Sequence, residues 1–181
     1  MTKQPTRHGS ISPEFALLGF LSVQSSYGYD LHQQLIKGLG FVWHISQSQT
    51  YNILNRLEMQ GDISSTMLEQ EKLPSRQVLQ ITRKGRDRFD KWMDMPTGSS
   101  VRAIRLEFVT RLFFAQKIAL QKIQPLLDSQ AVEINAAISK LESSQAEIPA
   151  DQIINRLSLQ LRIRQLHSAM DWLNECRKAL T

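Results

Sequence analysis

The chain has 181 residues, of which 41% are hydrophobic, and a formal net charge of +5. This is enough apolar sequence for the core of one large or two small domains, which excludes a disordered tail. The charge favours an anionic partner without requiring one, because a similar balance is common in proteins that never meet nucleic acid.

Two helices are predicted after a flexible tail at residues 1–10. The first is apolar and suited to burial, with Ser12 as its N-cap, Pro13 as its first residue and Val23 at its end. The second is predicted from Tyr27 to Lys37. Its apolar side chains recur at every fourth position, at Tyr27, Leu31, Leu35 and Leu39.

A third helix is predicted over residues 46–60. Ser46 and Gln49 have the spacing of a capping box, and Gly61 supplies the C-terminal stop. The residues expected to face a core recur at helical spacing and are Ile53, Leu54 and Leu57. The opposite face is polar and consists of Gln47, Ser48, Asn52, Asn55 and Arg56.

That polar face suits base edges and phosphates. Asparagine and glutamine side chains pair bidentately with adenine, and arginine pairs with guanine or with a phosphate. A helix face that only meets solvent has a similar composition, so both interpretations stay open for this helix considered alone. The segments on either side favour the first interpretation.

A β-hairpin is predicted downstream, with strands at residues 63–68 and 77–82 and a charged turn that contains Pro74. Lys72 and Arg76 lie at its tip, where they are expected to reach backbone phosphates or a minor groove. The alternative is a mobile turn that contacts nothing.

Thr82 is expected to cap a further helix, from Arg83 to Met93. Three helices followed by a hairpin is the element order of a winged helix-turn-helix domain, whose third helix reads DNA. A cluster of turn-forming residues then marks a boundary. The expected organisation is a DNA-binding domain at residues 11–95, a linker at 96–100 and a helical domain at 101–181.

The pattern after residue 100 is almost wholly helical. One helix is predicted from about Val101 to Ala115 or a little further, and a second that begins after Pro125 or nearby and ends before Pro149. The last helix carries apolar residues spaced four, three, four and three, which is the alternation of a coiled-coil seam. These seam residues, the expected dimer contacts, are Leu159, Ile163, Leu166, Met170 and Leu173.

Either the other helices of the chain or a second copy must cover this seam. A second apolar line on the same helix, formed by Ile154, Leu157 and Leu161, favours a second copy. A two-fold dimer would place two reading helices one duplex turn apart, roughly 34 Å, and would bind an inverted repeat.

Four segments of the first domain, in their order and spacing, resemble the PadR-type transcriptional regulators. They are Ser12-Pro-Glu-Phe-Ala-Leu-Leu-Gly-Phe-Leu21, Ser26-Tyr-Gly-Tyr-Asp-Leu31, Ile45-Ser-Gln-Ser-Gln-Thr-Tyr-Asn-Ile-Leu-Asn-Arg-Leu-Glu58 and Ile81-Thr-Arg-Lys-Gly-Arg86. In the second half, Glu107-Phe-Val-Thr-Arg-Leu-Phe-Phe114 resembles the C-terminal domain of the longer members, the virulence-gene-activator subgroup. Asp62 departs from the family pattern, because this position is usually apolar.

The resemblance implies a mainly α fold with a small β-hairpin, in which an N-terminal winged helix-turn-helix precedes a C-terminal antiparallel helical dimerisation domain. It implies a regulator that binds an inverted-repeat operator in double-stranded DNA as a homodimer, whether as repressor or as activator. By resemblance Tyr51 lies near the DNA, and the alternative is that its ring packs on the second helix. The expected contacts are Ser46, Ser48, Gln49, Tyr51, Asn52, Asn55 and Arg56 in the recognition helix, and Lys72 and Arg76 in the wing.

Control by a small hydrophobic ligand or by a second regulator is a further hypothesis. Some relatives bind flat hydrophobic compounds between the two domains or at the dimer interface, and others act beside a second regulator. The alternative for the aromatic residues concerned is ordinary core packing. Those suited to line a ligand cavity are Trp43, Trp92, Phe108 and Trp172.

Other chemistry has little support in the sequence. The four histidines and one cysteine lack metal-ligand spacing, so no metal or cofactor is expected, and no phosphate-binding glycine loop or nucleophile elbow suggests an enzyme. The lone cysteine fits a reducing interior, and the absence of a membrane-length apolar stretch or signal peptide makes the cytoplasm the expected location. The remaining rival to a DNA-binding regulator is a winged-helix protein-interaction module.

Overall fold

The computed structural model describes the backbone of residues 11–70, 73–145 and 147–180, and the side chains of these residues except those at 68–76. The chain divides into two compact units, the first ending at Met95 and the second beginning at Pro96. Each unit has its own buried apolar residues. None of the described helices is both long enough and apolar enough to cross a membrane.

The described part of the first unit combines helices with a three-stranded antiparallel sheet. The strands lie in the order β1, β3, β2, with Ser26 opposite Leu79 and Ile63 opposite Ile81. This is a winged helix-turn-helix whose predicted hairpin gains a short third strand. Its elements are α1 (Glu14–Val23), β1 (Ser26–Tyr27), α2 (Gly28–Leu39), α3 (Gln47–Met59), β2 (Ile63–Gln70), β3 (Leu73–Ile81) and α4 (Arg83–Asp94).

Several of the predicted boundaries in this unit differ by a few residues from the observed ones. Helix α1 begins at Glu14 rather than Pro13, although the Ser12 hydroxyl still accepts a hydrogen bond of 3.4 Å from the Glu14 N–H. Helix α2 begins after Tyr27, because that residue belongs to β1. Pro74 lies in β3 instead of the turn, since the two long strands extend further towards the tip than their β-branched residues indicate.

Helix α1 forms the centre of the first unit. All of its residues from 16 to 21 are buried, and it packs against α2, α3, α4 and β3. The Phe15 ring stacks on Trp92 of α4, with 4.6 Å between the ring centroids. Each fully buried leucine of α1 contributes about 1.5–3 kcal/mol. The apolar helix is therefore the scaffold on which α3 is positioned.

The described part of the second unit is entirely helical. Its elements are α5 (Val101–Ala103), a π-helical segment (Ile104–Phe108), α6 (Val109–Ile118), a 3-10 turn (Leu120–Lys122), α7 (Ile123–Gln145) and α8 (Ile153–Leu180). The first three run on from one another and correspond to the helix predicted from Val101. Helix α7 begins at Ile123, close to Pro125, which agrees with a predicted start after the proline or nearby. Proline is tolerated there because the first turn of a helix has no acceptor for its N–H groups.

A buried cation follows the π-helical segment. Arg111 is 2% exposed, donates a hydrogen bond to the Thr97 hydroxyl and has a side-chain nitrogen 3.9 Å from a Glu107 carboxylate oxygen. Burial lowers the pKa of Arg111 to about 10, although Glu107 acts in the opposite direction. The guanidinium therefore stays charged at neutral pH and joins the segment before α5 to α6.

Helices α7 and α8 form an antiparallel pair. Arg177 Nη1 lies 2.7 Å from Asp128 Oδ1, and His167 Nε2 lies 4.0 Å from Glu142 Oε1, so residues later in α7 face residues earlier in α8. The chain itself covers part of the coiled-coil seam, as the intramolecular alternative expects, and a dimer contact through the seam stays a prediction. Of the five seam residues, Leu159, Leu166 and Leu173 are buried and Ile163 and Met170 are half-buried. The four-three spacing identifies a face that must be covered but does not specify which chain covers it.

Candidate nucleic-acid interface

The start of α3 is fixed by the predicted capping box. The Ser46 hydroxyl accepts a hydrogen bond of 3.2 Å from the Gln49 N–H, and the Gln49 side-chain oxygen accepts one of 2.8 Å from the Ser46 N–H. At the other end Gly61 has a φ of +72°, a conformation that favours glycine. Both predicted helix signals are therefore confirmed. Ser46 and Gln49 are exposed, but their side chains are engaged in the cap.

A buried hydrogen-bond chain ties α2 to the first turn of α3. The Thr50 hydroxyl donates to the Ser46 carbonyl over 3.2 Å, so His32 Nδ1, 2.9 Å away, is the donor to Thr50 Oγ1. His32 is 9% exposed and Thr50 is fully buried. Sequence reasoning missed this contact. The available signal was that Thr50 continues the helical spacing of the core residues of α3.

The two faces of α3 divide as the sequence predicts. Ile53, Leu54 and Leu57 are buried, and Leu57 is completely inaccessible to solvent. The residues that extend away from the core carry amides, hydroxyls and one guanidinium. These exposed residues are Gln47, Ser48, Asn52, Asn55 and Arg56. The face therefore presents hydrogen-bonding groups that suit base edges or phosphates.

A groove of about 390 Å³ runs beside this face, within the first unit. All three tyrosines of the chain line it, together with the first turn of α2, and none of its described lining residues is basic. Its lining includes the buried Leu54 and Leu79 and the acidic residues Asp30 and Glu58. Phenol hydroxyls, amides and helix N-terminal N–H groups are donors for phosphate oxygens.

Tyr51 is neither a core residue nor a freely exposed one. It is 39% exposed, and its ring packs on the first turn of α2, where a Cβ atom added to Gly28 would lie 2.7 Å from Tyr51 Cε1. The contact with α2 agrees with the alternative made from the sequence, and the proximity of Tyr51 to DNA stays a prediction. The ring rests on the second helix and still borders the groove.

Arg56 is held by another helix. Its Nη2 lies 2.9 Å from Glu14 Oε2 and 3.4 Å from Ser12 Oγ, both in or next to α1. The side chain of Arg56 nevertheless remains 49% exposed. Sequence reasoning assigned Arg56 to a base or a phosphate and did not anticipate this ion pair, because the two residues are 42 positions apart.

The predicted wing contacts lie at the limit of the described residues. Lys72 is outside them. Arg76 belongs to β3, where it is opposite Leu68, but its side chain is also outside the described part. Their contact with DNA stays a prediction.

The four aromatic residues predicted to line an effector cavity are distributed over both units. Trp43 and Trp92 are buried in the first unit, and Phe108 is buried in the second. Phe108 meets the half-buried Trp172 edge to face, with 6.2 Å between the ring centroids. Within each unit these rings act as core residues, and a role in ligand binding stays a prediction.

The described residues give no indication of a metal site or of a reactive thiol. No cluster of three or more histidine, cysteine or acidic side chains there is arranged to hold a metal ion. Burial and the neighbouring Glu175 raise the pKa of the Cys176 thiol. The thiol is therefore protonated at neutral pH, which opposes nucleophilic reactivity.

Comparisons with known proteins match both halves of the chain. The model of the transcriptional regulator PadR-like family matches residues 17–91, and that of the virulence activator alpha C-terminal domain matches residues 104–181. The chain is 24% identical to the probable transcriptional regulator Rv1176c of Mycobacterium tuberculosis, over 91% of this chain and 95% of the relative. It is 26% identical to the negative transcriptional regulator PadR of Bacillus subtilis, over 76% and 75%. The crystal structure of Bacillus subtilis PadR in complex with operator DNA has 21% identity and a TM-score of 0.44, over 93% of this chain and 98% of that one.

Proposed function

Because the chain belongs to the PadR-like family of transcriptional regulators, we propose that it binds an inverted-repeat operator in double-stranded DNA as a homodimer. The family comprises regulators rather than enzymes. The operator-binding surface is the exposed face of α3, with the groove beside it.

The observation that carries this proposal is the amide-rich face of α3. Ser48, Asn52 and Asn55 are exposed, while the other side of the same helix is buried. The capping box and the contact between His32 and Thr50 fix the N-terminal turn, which is the part of a recognition helix that approaches base edges. Asn52 and Asn55 lie in the middle of the helix that this turn positions, and their side chains are suited to bidentate pairing with adenine.

The groove supports contact with the DNA backbone next to α3. Tyr29 is 53% exposed and Tyr51 is 39% exposed, so both reach solvent at its edge. We assign their hydroxyls, together with the N-terminal N–H groups of α2, to phosphate oxygens. In the same arrangement, Lys72 and Arg76 of the wing reach a neighbouring stretch of backbone.

Dimerisation is assigned to an apolar line on α8 that the chain leaves open. Ile154, Leu157 and Leu161 are 73%, 55% and 57% exposed, respectively. They follow each other at helical spacing and form a continuous apolar surface, which soluble chains normally cover with a partner. A second copy packed there would present two reading helices to one inverted repeat and so multiply the affinity of a single domain.

Salt dependence and an asparagine variant test the proposal. Affinity for duplex DNA should fall steeply with salt, with a slope of about −0.9 for each phosphate neutralised. Asn55→Ala should lower operator affinity by about 1–3 kcal/mol and leave binding to unrelated DNA nearly unchanged, because a base contact is lost without any change of charge. Both affinities can be measured by fluorescence anisotropy.

Gln33→Ala is the matched control, because it removes an exposed amide from α2, outside the proposed surface. It should leave both affinities unchanged. Binding that does not depend on salt, or an Asn55→Ala variant indistinguishable from the unaltered chain, would favour the protein-interaction module instead.

A further inference from the structure

Glu14 of α1 lies between two arginines from different helices. Its carboxylate is 2.9 Å from Arg56 of α3 through one oxygen and is paired with Arg88 of α4 through the other. The side chain of Glu14 is 13% exposed, compared with 49% for Arg56 and 32% for Arg88. The pair with Arg56 is thus the more solvent-exposed side of the cluster.

Arg88 has a second carboxylate of its own, whereas Arg56 does not. Arg88 also pairs with Asp62, whose side chain is 2% exposed, and its guanidinium lies 5.1 Å from the centre of the Phe15 ring. Among the described residues, Glu14 is the only anion paired with Arg56. Loss of the Glu14 charge would therefore leave Arg56 uncompensated and Arg88 still paired.

Arg56 stands on the operator-binding surface itself. Ser48, Asn52 and Arg56 follow one another at intervals of four residues, and all three are exposed. Four residues of helix rise by about 6 Å, and the Debye length at 0.1 M salt is about 10 Å. A positive charge on Arg56 that is not offset by a carboxylate would therefore attract DNA phosphates bound next to Asn52.

We propose that Glu14 is a specificity-determining residue, which neutralises Arg56 and so weakens the attraction of α3 for DNA of any sequence. This inference rests on the proposed DNA-binding function. A fully charged arginine beside the backbone adds affinity to every sequence equally. With its charge offset, binding depends more on the amides of the same face, and the ratio of operator to unrelated DNA affinity rises.

The test is a double-mutant cycle on the full chain with duplex DNA of unrelated sequence. Glu14→Gln should bind such DNA about fivefold more tightly for each reading domain near 0.15 M salt, with a salt slope steeper by about 0.9. Arg56→Gln alone should weaken binding to such DNA and make the slope shallower, because it leaves the Glu14 charge without its Arg56 partner. The variant with both changes should return to the affinity and slope of the unaltered chain. Asp90→Asn is the charge-matched control, because it removes one exposed carboxylate elsewhere, on α4.

A Glu14→Gln variant whose salt slope is unchanged would overturn the inference, and so would a double variant that keeps the gain in affinity. The proposed function would still stand if the unaltered chain binds DNA in a salt-dependent way. An unaltered chain without salt-dependent DNA binding would overturn the proposed function as well. If thermal melting shows that Glu14→Gln is poorly folded, Glu14→Asp provides the second variant. It keeps the negative charge within a Debye length of Arg56, so the affinity and the slope should stay close to those of the unaltered chain, and a steeper slope would overturn the inference.

Discussion

We expect a Leu157→Glu and Leu161→Glu double variant to be a monomer that binds an inverted-repeat operator at least about 100-fold more weakly than the unaltered chain. Both side chains are more than half exposed in the single chain, so the variant should keep its fold. In a dimer each glutamate would be buried without a partner, which opposes association. Sedimentation gives the mass, and a gel-shift titration gives the affinity.

Leu120→Glu is the matched control for this variant. Leu120 is 66% exposed and lies in the 3-10 turn before α7, away from the apolar line of α8. It should leave both mass and affinity unchanged. A doubly substituted chain that still sediments as a dimer and binds normally would show that α8 does not form the dimer contact through this line.

Gly85→Ala should unfold much of the first unit, with a loss of about 3 kcal/mol or more in the free energy of unfolding. A Cβ atom at this position would lie 1.9 Å from the Asp62 carbonyl oxygen and 2.8 Å from its carbonyl carbon. That carbonyl cannot retreat easily, because it accepts hydrogen bonds from the N–H of Thr82 at 3.0 Å and from its hydroxyl at 3.1 Å. Urea denaturation monitored by circular dichroism measures the loss.

Gly38→Ala is the contrasting control for the glycine variant. Gly38 is exposed within α2, so alanine should be neutral or stabilising by up to about 1 kcal/mol through its higher helix propensity. If Gly85→Ala is as stable as the unaltered chain, then α4 does not approach the end of α3 as closely as described.

The elements that could be predicted from sequence are those fixed by local interactions. The extent of α3 follows from a capping box four residues long, an apolar helical period and a glycine stop, and all three are observed. Helix α4 likewise begins with the Thr82 hydroxyl accepting a hydrogen bond from the Gly85 N–H. Local periodicity and caps are visible in a single segment, so no knowledge of the rest of the chain was needed.

The contacts that escaped prediction join distant parts of the chain. Strand β1 has only two residues, which pair with Val78 and Leu79 far downstream, and so short a strand has no pattern of its own. The contact between Glu14 and Arg56 spans 42 positions, and that between Glu14 and Arg88 spans 74. Each of these residues in isolation has the composition of an ordinary solvated surface.

The sequence also could not show which apolar line of α8 the chain itself covers. The four-three spacing of α8 correctly indicates a face that must be covered, and α7 of the same chain helps to cover it. The neighbouring line, with Ile154 at 73% exposure, was predicted as a secondary feature and is the one that remains open. Periodicity reports how much of a helix is apolar, whereas the assignment of each apolar line to a partner depends on the tertiary structure.

We propose that a dimer reads a specific operator through the amide face of α3. Selection of duplexes from a random-sequence pool by the purified chain, repeated with Asn55→Ala, tests it most directly. We expect an inverted repeat with half-sites about one helical turn apart, and a relaxed preference at one position of each half-site in the variant. Recovery of sequences without any shared site, by a chain shown to be folded and dimeric, would contradict the claim.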